Sequence, residues 1–92
     1  MLKLRVTTQF KKDYKKCEKR GLDMKLLQDV LGTLLNEQPL PDKHHDHALT
    51  GNYSGFRECH IMPDWLLIYM IQKDVLILTA SRTGTHSDLF GK

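Results

Sequence analysis

Ninety-two residues, 40% of them apolar and 27% charged, suit one globular domain spanning 1–92: too short for a second core and too apolar for disorder. No apolar run nears the ~20 residues of a membrane span, and Met1-Leu2-Lys3-Leu4-Arg5 lacks the stretch of a signal peptide, so the cytoplasm is the expected compartment. The net charge of +3 is uneven: residues 1–22 hold eight Lys/Arg against two acidic residues, whereas the other seventy are net acidic by three.

The first element is Leu2–Val6, whose apolar and basic residues alternate with the period of a half-buried strand. Thr7 or Thr8 can cap the helix that follows. There Phe10, Tyr14 and Cys17 fall at i, i+4 and i+7, one apolar stripe on a helix otherwise covered in lysine, and Gly21 is placed to end it. Lys12, Lys15, Lys16 and Lys19 on this helix suit the tracking of phosphates, since lysine displaces condensed counterions from nucleic acid. For a lysine run taken alone, a solvated face is the plainer reading.

Asp23 is a good N-cap for a second helix with Met24, Leu27, Val30, Leu31, Leu34 and Leu35 at helical spacing, stopped by Pro39 and Pro41. So short a link predicts a helical hairpin. Residues 40–54 read as a loop. Three strands are predicted after it, Phe56–Ile61, Trp65–Ile71 and Val75–Ser81, joined by turns at Pro63-Asp64 and Gln72-Lys73-Asp74. The order is β-α-α-β-β-β, an α+β domain with the hairpin on one face of a mainly antiparallel four-stranded sheet and the other face left for a ligand. Cys17 and Cys59 lack CxxC spacing and read as small buried residues in a reducing compartment.

All five histidines lie in the second half: His44, His45, His47, His60 and His86. Imidazole as a class titrates near ~6.5 and can take or give a proton at cellular pH. Any one histidine is more often a surface residue than a catalyst, but neighbouring strands would let the ends carrying His47, His60 and His86 converge. Asp64, in the turn after His60, and Arg82, four residues before His86, can join them. This set suits RNA cleavage by the RNA's own 2′-hydroxyl: a base takes the hydroxyl proton, an acid protonates the departing 5′-oxygen, and a guanidinium steadies the charged phosphorane. No metal or other cofactor is required. Trp65, Tyr53, Phe56 and Phe90 are aromatic candidates for holding a base, although strand periodicity favours the core for Trp65 and Phe56.

Asp46-His47-Ala48-Leu49-Thr50-Gly51, Arg57-Glu58-Cys59-His60, Pro63-Asp64-Trp65-Leu66-Leu67-Ile68-Tyr69 and Arg82-Thr83-Gly84-Thr85-His86-Ser87-Asp88-Leu89-Phe90 resemble, in order and spacing, the YafQ branch of the RelE-type toxins. The resemblance covers nearly the whole chain. It implies a microbial-ribonuclease-like fold, cleavage of mRNA on the ribosome, and restraint by an antitoxin in a hetero-oligomer that binds DNA through that antitoxin. The functional residues it implies are His47, His60, Asp64, Arg82 and His86 for catalysis, with Trp65 and Phe90 gripping RNA. His86 is the expected general acid, and His60 or His47, with Asp64, the base side. Ala48 departs from the family, where proline often follows the histidine, and loosens the loop carrying His47.

Two other readings compete. His44-His45-Asp46-His47, completed by His60 or His86, is a compact ligand set, but adjacent loop side chains rarely point at one ion, so His44 and His45 read as exposed loop residues. A non-enzymatic toxin of the ParE kind, aimed at a protein such as gyrase, shares the fold. It has no need of three histidines, an aspartate and an arginine gathered at one sheet edge.

Overall fold

The computed structural model describes Met1–Gly91. Its elements are β1 (Lys3–Val6), α1 (Thr8–Lys19), α2 (Met24–Leu35), β2 (His47–Ala48), β3 (Arg57–Met62), β4 (Trp65–Gln72), β5 (Ile77–Gly84) and α3 (His86–Phe90), with single 3₁₀ turns at Asp42–His44 and Gly51–Tyr53. The helix boundaries follow their caps. Thr7 accepts from the Phe10 N–H and Asp23 from the Lys25 N–H, each satisfying a donor that the first turn leaves open. Gly21 takes a φ of +82° just past α1, which lets the chain reverse into α2. No helix among the described residues is long and apolar enough to cross a membrane.

The sheet runs β1-β5-β4-β3-β2 and is antiparallel except for β1, which lies parallel to β5. On one face α1 and α2 bring Phe10, Cys17, Leu27, Val30, Leu31 and Leu34 against Cys59, Trp65, Leu67, Tyr69, Leu78 and Ala80. Burial of each large apolar side chain there contributes about 1.5–3 kcal/mol.

Three expectations need correcting. Residues 40–54 are not all loop: His47 and Ala48 pair with Glu58 and Arg57, adding a short fifth strand. β5 starts at Ile77 instead of Val75 and runs on to Gly84, because Leu76 turns the chain with a φ of +57° and leaves itself and Val75 exposed. The second sheet face is also partly covered. Leu66 and Ile68 are fully buried there beneath Leu89 of α3, with Leu49, Tyr53 and Phe56 beside them. A strand that is almost continuously apolar needs cover on both faces, and β4 is such a strand.

Candidate active site

Strand register assembles the site. His47 pairs with Glu58, Glu58 with Ile68 and Ile68 with Arg82, so these four residues form one row across the sheet, in which Ile68 faces away from α1 and α2 while the Arg82 guanidinium reaches α1. The next row on that face is His60, Leu66 and Gly84. Past Gly84 the chain turns into α3, capped by Thr85, and His86 is its first residue. His86 thus begins a helix.

Two histidine–carboxylate pairs result. His86 Nδ1 lies 2.7 Å from Asp64 Oδ1, which also accepts the His86 backbone N–H at 3.0 Å. A carboxylate only accepts, so Nδ1 carries a proton and Nε2 is the atom left for chemistry. The backbone N–H first and the ring second hold the Asp64 carboxyl below its usual range. Asp64 therefore pairs with His86, and not with His60 or His47 as expected from the sequence.

The carboxylate beside His60 and His47 is Glu58, a residue not singled out from the sequence. It is only 6% exposed, with Oε1 3.3 Å from His60 Nε2 and 3.9 Å from His47 Nε2. The signal was present, because residues two apart on a strand share a face, and Glu58 and His60 are two apart. The Glu58, His60 and His86 ligand atoms all lie within 4.8 Å of one another. Two imidazoles and a carboxylate suit a borderline divalent ion such as zinc or copper.

The surrounding residues fix these groups. Asp46 accepts from the Tyr69 hydroxyl at 2.5 Å and from Arg57 Nε and Nη2 at 3.3 Å each. That clamp fixes the residue before His47, whose own Nδ1 donates to the His45 carbonyl at 2.7 Å, and it offsets the looseness expected from Ala48. His44 is half-buried, not an exposed loop residue, and its Nδ1 donates to the His60 carbonyl at 2.6 Å. His45 is exposed as expected, but its ring meets the His60 ring edge-on with centroids 5.7 Å apart.

Rings continue from there in an unbroken row. His60 and His86 are 5.7 Å apart, His86 and Phe90 6.5 Å, and Phe90 and Tyr53 5.8 Å. Phe90 remains 36% exposed at the edge of the site. Trp65 is instead 2% exposed, packed in the core with its indole N–H donating to Thr83 Oγ1 at 3.0 Å. It has no face to offer a base, which corrects the RNA-gripping role expected of it; core packing, the reading from periodicity, describes it.

Arg82 sits in the Glu58 row, but its Nε and Nη2 donate to Asp13 of α1 at 2.8 and 3.3 Å. Asp13 also accepts the Thr83 N–H at 3.2 Å. The other Arg82 guanidinium N–H groups, with Tyr53 beside them, can still turn to a phosphate. Lys12, Lys15, Lys16 and Lys19 are all exposed on α1. Lys16 is committed, however, reaching Asp88 Oδ1 at 3.2 Å beside Arg20, which grips Asp88 through two bonds of 2.6 and 3.0 Å. Asp88 also closes the α3 capping box on the Thr85 N–H. Chiefly because of Arg20, its carboxyl is held far below the usual range. Gly84 makes room for this arrangement: a Cβ there would lie 2.8 Å from Asp88 Oδ2, at a φ of +152° that a side chain rarely tolerates. Cys17 and Cys59 are both buried, as expected, and burial pushes the Cys59 thiol up to about 12.

Residues 2–91 match the family described as the bacterial toxin of type II toxin–antitoxin systems, YafQ. The mRNA interferase toxin YafQ of Escherichia coli K12 is 43% identical over 84 residues, 90% of this chain and 89% of its own. A metal-bound toxin from Helicobacter pylori superposes with a TM-score of 0.92 at 48% identity, covering 98% of this chain and all of the other. YafQ in the E. coli DinJ–YafQ complex gives 0.90 at 39% identity over 99% of this chain and all of its own.

Proposed function

The chain belongs to the YafQ family of type II toxins, and on that footing we propose that it is an endoribonuclease that cuts mRNA on the ribosome without a metal ion and so stops translation. The observation that carries this reading is the pair of imidazoles, each on its own carboxylate and with ring centroids 5.7 Å apart. A phosphodiester set against the nitrogens of both rings, whose ligand atoms lie within 4.8 Å of each other, meets a proton acceptor and a proton donor at once. The His60–Glu58 pair, with His47 beside it, takes the proton of the 2′-hydroxyl as that oxygen attacks phosphorus. His86 Nε2 gives a proton to the leaving 5′-oxygen, and Asp64 stabilises the imidazolium beforehand by fixing its ring and its charge. The N–H groups that Arg82 keeps beyond Asp13 face the phosphorane charge. Products are a 2′,3′-cyclic phosphate and a free 5′-hydroxyl.

Phe90 at the edge of the site supplies a ring for an unstacked base. The exposed lysines of α1 supply ribosome contacts that position the enzyme without choosing the cut. A toxin acting in its own cytoplasm needs restraint, and an antitoxin corresponding to DinJ in the E. coli complex is the partner that fits. Primer extension on an mRNA translated with and without the purified protein tests the reading. Discrete cuts inside the reading frame, carrying cyclic-phosphate ends, are expected. Intact mRNA together with inhibited DNA supercoiling would favour the ParE-like alternative.

A further inference from the structure

The row of rings across the site has two ends, and the reading above uses only one. Beyond Phe90 the row turns towards Tyr53 and Phe56 over the second small core. At the other end, His45 and His60 open into a groove of about 700 Å³ between α2 and the turn before β2. His60 lines both this groove and the proposed reaction centre. A strand whose scissile phosphate rests against the nitrogens of His60 and His86 can follow the row of rings, with one neighbouring nucleotide at Phe90 and the other at the groove. Resting on the endonuclease reading, we infer that the groove is the subsite for that second nucleotide, and that it selects a base bearing an exocyclic amine over uracil.

Three features of the lining point to a base. Leu26 and Met62 are among the few large apolar side chains left exposed, at 38% and 46%, and both flank this groove. Apolar faces either side of a slot suit a planar aromatic ring, and the Met thioether adapts to it. Two of the polar groups offer acceptors. Asp29 offers a carboxylate, held only by exposed Lys25 at 3.5 Å. His44, whose Nδ1 proton is spent on the His60 carbonyl, keeps an acceptor at Nε2 when neutral. Acceptors of this kind pair with the amines of adenine, cytosine and guanine, as acidic side chains do in base readout. Where cytosine and adenine carry that amine, uracil presents a carbonyl, which repels a carboxylate. Lys43 adds the one lysine charge on the lining, for the phosphate that follows. His45 is held at a φ of +46° beside the groove, a left-handed conformation that few residues with a Cβ adopt, and this keeps its ring against His60.

The test uses ribosomes carrying mRNAs in which each nucleotide flanking the cut is varied in turn, with single-turnover cleavage followed over a range of enzyme concentration. The parent protein should discriminate against uracil on one side of the cut. Asp29→Asn, which replaces one acceptor by an amide donor able to meet uracil, should lower that discrimination about five- to tenfold, the low end of what one base contact gives at an exposed site. Met62→Ala should weaken half-saturation for every base while leaving the maximal rate unchanged, since it removes stacking surface and no reacting group. Circular dichroism confirms that both exposed-site variants are folded. A parent with no preference at either flanking position, or an Asp29→Asn protein with parental preference or an equal loss on all four bases, overturns the subsite. A parent that cuts no RNA overturns the endonuclease reading instead.

Discussion

Replacing His86 by alanine separates chemistry from architecture at this site. The side chain stands at the first position of α3 with 47% of its surface exposed, and its removal deletes one hydrogen bond, from Nδ1 to Asp64. The backbone N–H that Asp64 also accepts survives the substitution. Both partners of that bond stand in water, which competes for it, so its loss should leave Tm within a few degrees of the parent. Loss of a general acid, by contrast, costs roughly 10²–10⁴ in rate, or about 2.7–5.5 kcal/mol of barrier. The His86→Ala protein should therefore melt near the parent, bind ribosomes with parental affinity, and cleave two to four orders of magnitude more slowly in a single-turnover assay. Asp64→Asn keeps an acceptor for the ring but loses the charge behind the imidazolium, so its rate should fall between parent and alanine variant. A folded His86→Ala protein cleaving at the parental rate would refute the assignment of the acid and the division of labour between the two pairs.

Metal should inhibit instead of activate. An ion held by Glu58, His60 and His86 occupies the lone pairs that proton transfer needs, so micromolar zinc or copper should slow cleavage and chelation should restore it; loss of activity on chelation, recovered with zinc, would reverse this. Neutralising Lys12, Lys15 and Lys19 should weaken ribosome binding and flatten its salt dependence without moving the cuts, and an unchanged salt slope would leave them as a solvated face. The folded state holds the Asp88 carboxyl low, so its contribution to stability is complete above the ordinary carboxylate value of about 3.9 and disappears as pH falls through the range below. Asp88→Asn should accordingly lower Tm at neutral pH and show a shallower loss of stability on acidification, which thermal melts from pH 7 to pH 2 would check.

Local signals found most of the architecture. Caps, apolar spacing and turn residues located both long helices and the three central strands, because each is set by neighbours in the chain. The misses involve partners distant in sequence. β2 is two residues long and exists only through its pairing with β3, so no periodicity announces it. The α3 capping box reads in hindsight from Thr85 and Asp88, but the cover that Leu89 gives Ile68 does not. At the site, residue types pointed to the histidines, whereas the carboxylates were allotted by nearness in sequence. Asp64 was joined to the base side, although the fold sets it against His86, twenty-two positions away. Glu58 was passed over because a glutamate two residues from a histidine means something only once the segment is known to be extended. Trp65 shows the reverse hazard, since a residue type that matched the family's pattern outweighed strand periodicity, and periodicity described its burial.

The first strand lies beside the last, and Asp13, Lys16 and Arg20 reach across sixty-eight to seventy-two positions to Arg82 and Asp88. Closing loops of that size costs about 1.7 kcal/mol more than closing ten-residue ones, so this scaffold forms late and as a whole. During synthesis α1 and α2 can emerge and pair early, yet the clamps on Arg82 and α3 have no counterpart until residues 82–88 have left the exit tunnel. On the proposed endonuclease reading, the nascent chain would lack its assembled site until those residues emerge. The antitoxin would likewise meet its target only when that target first becomes dangerous.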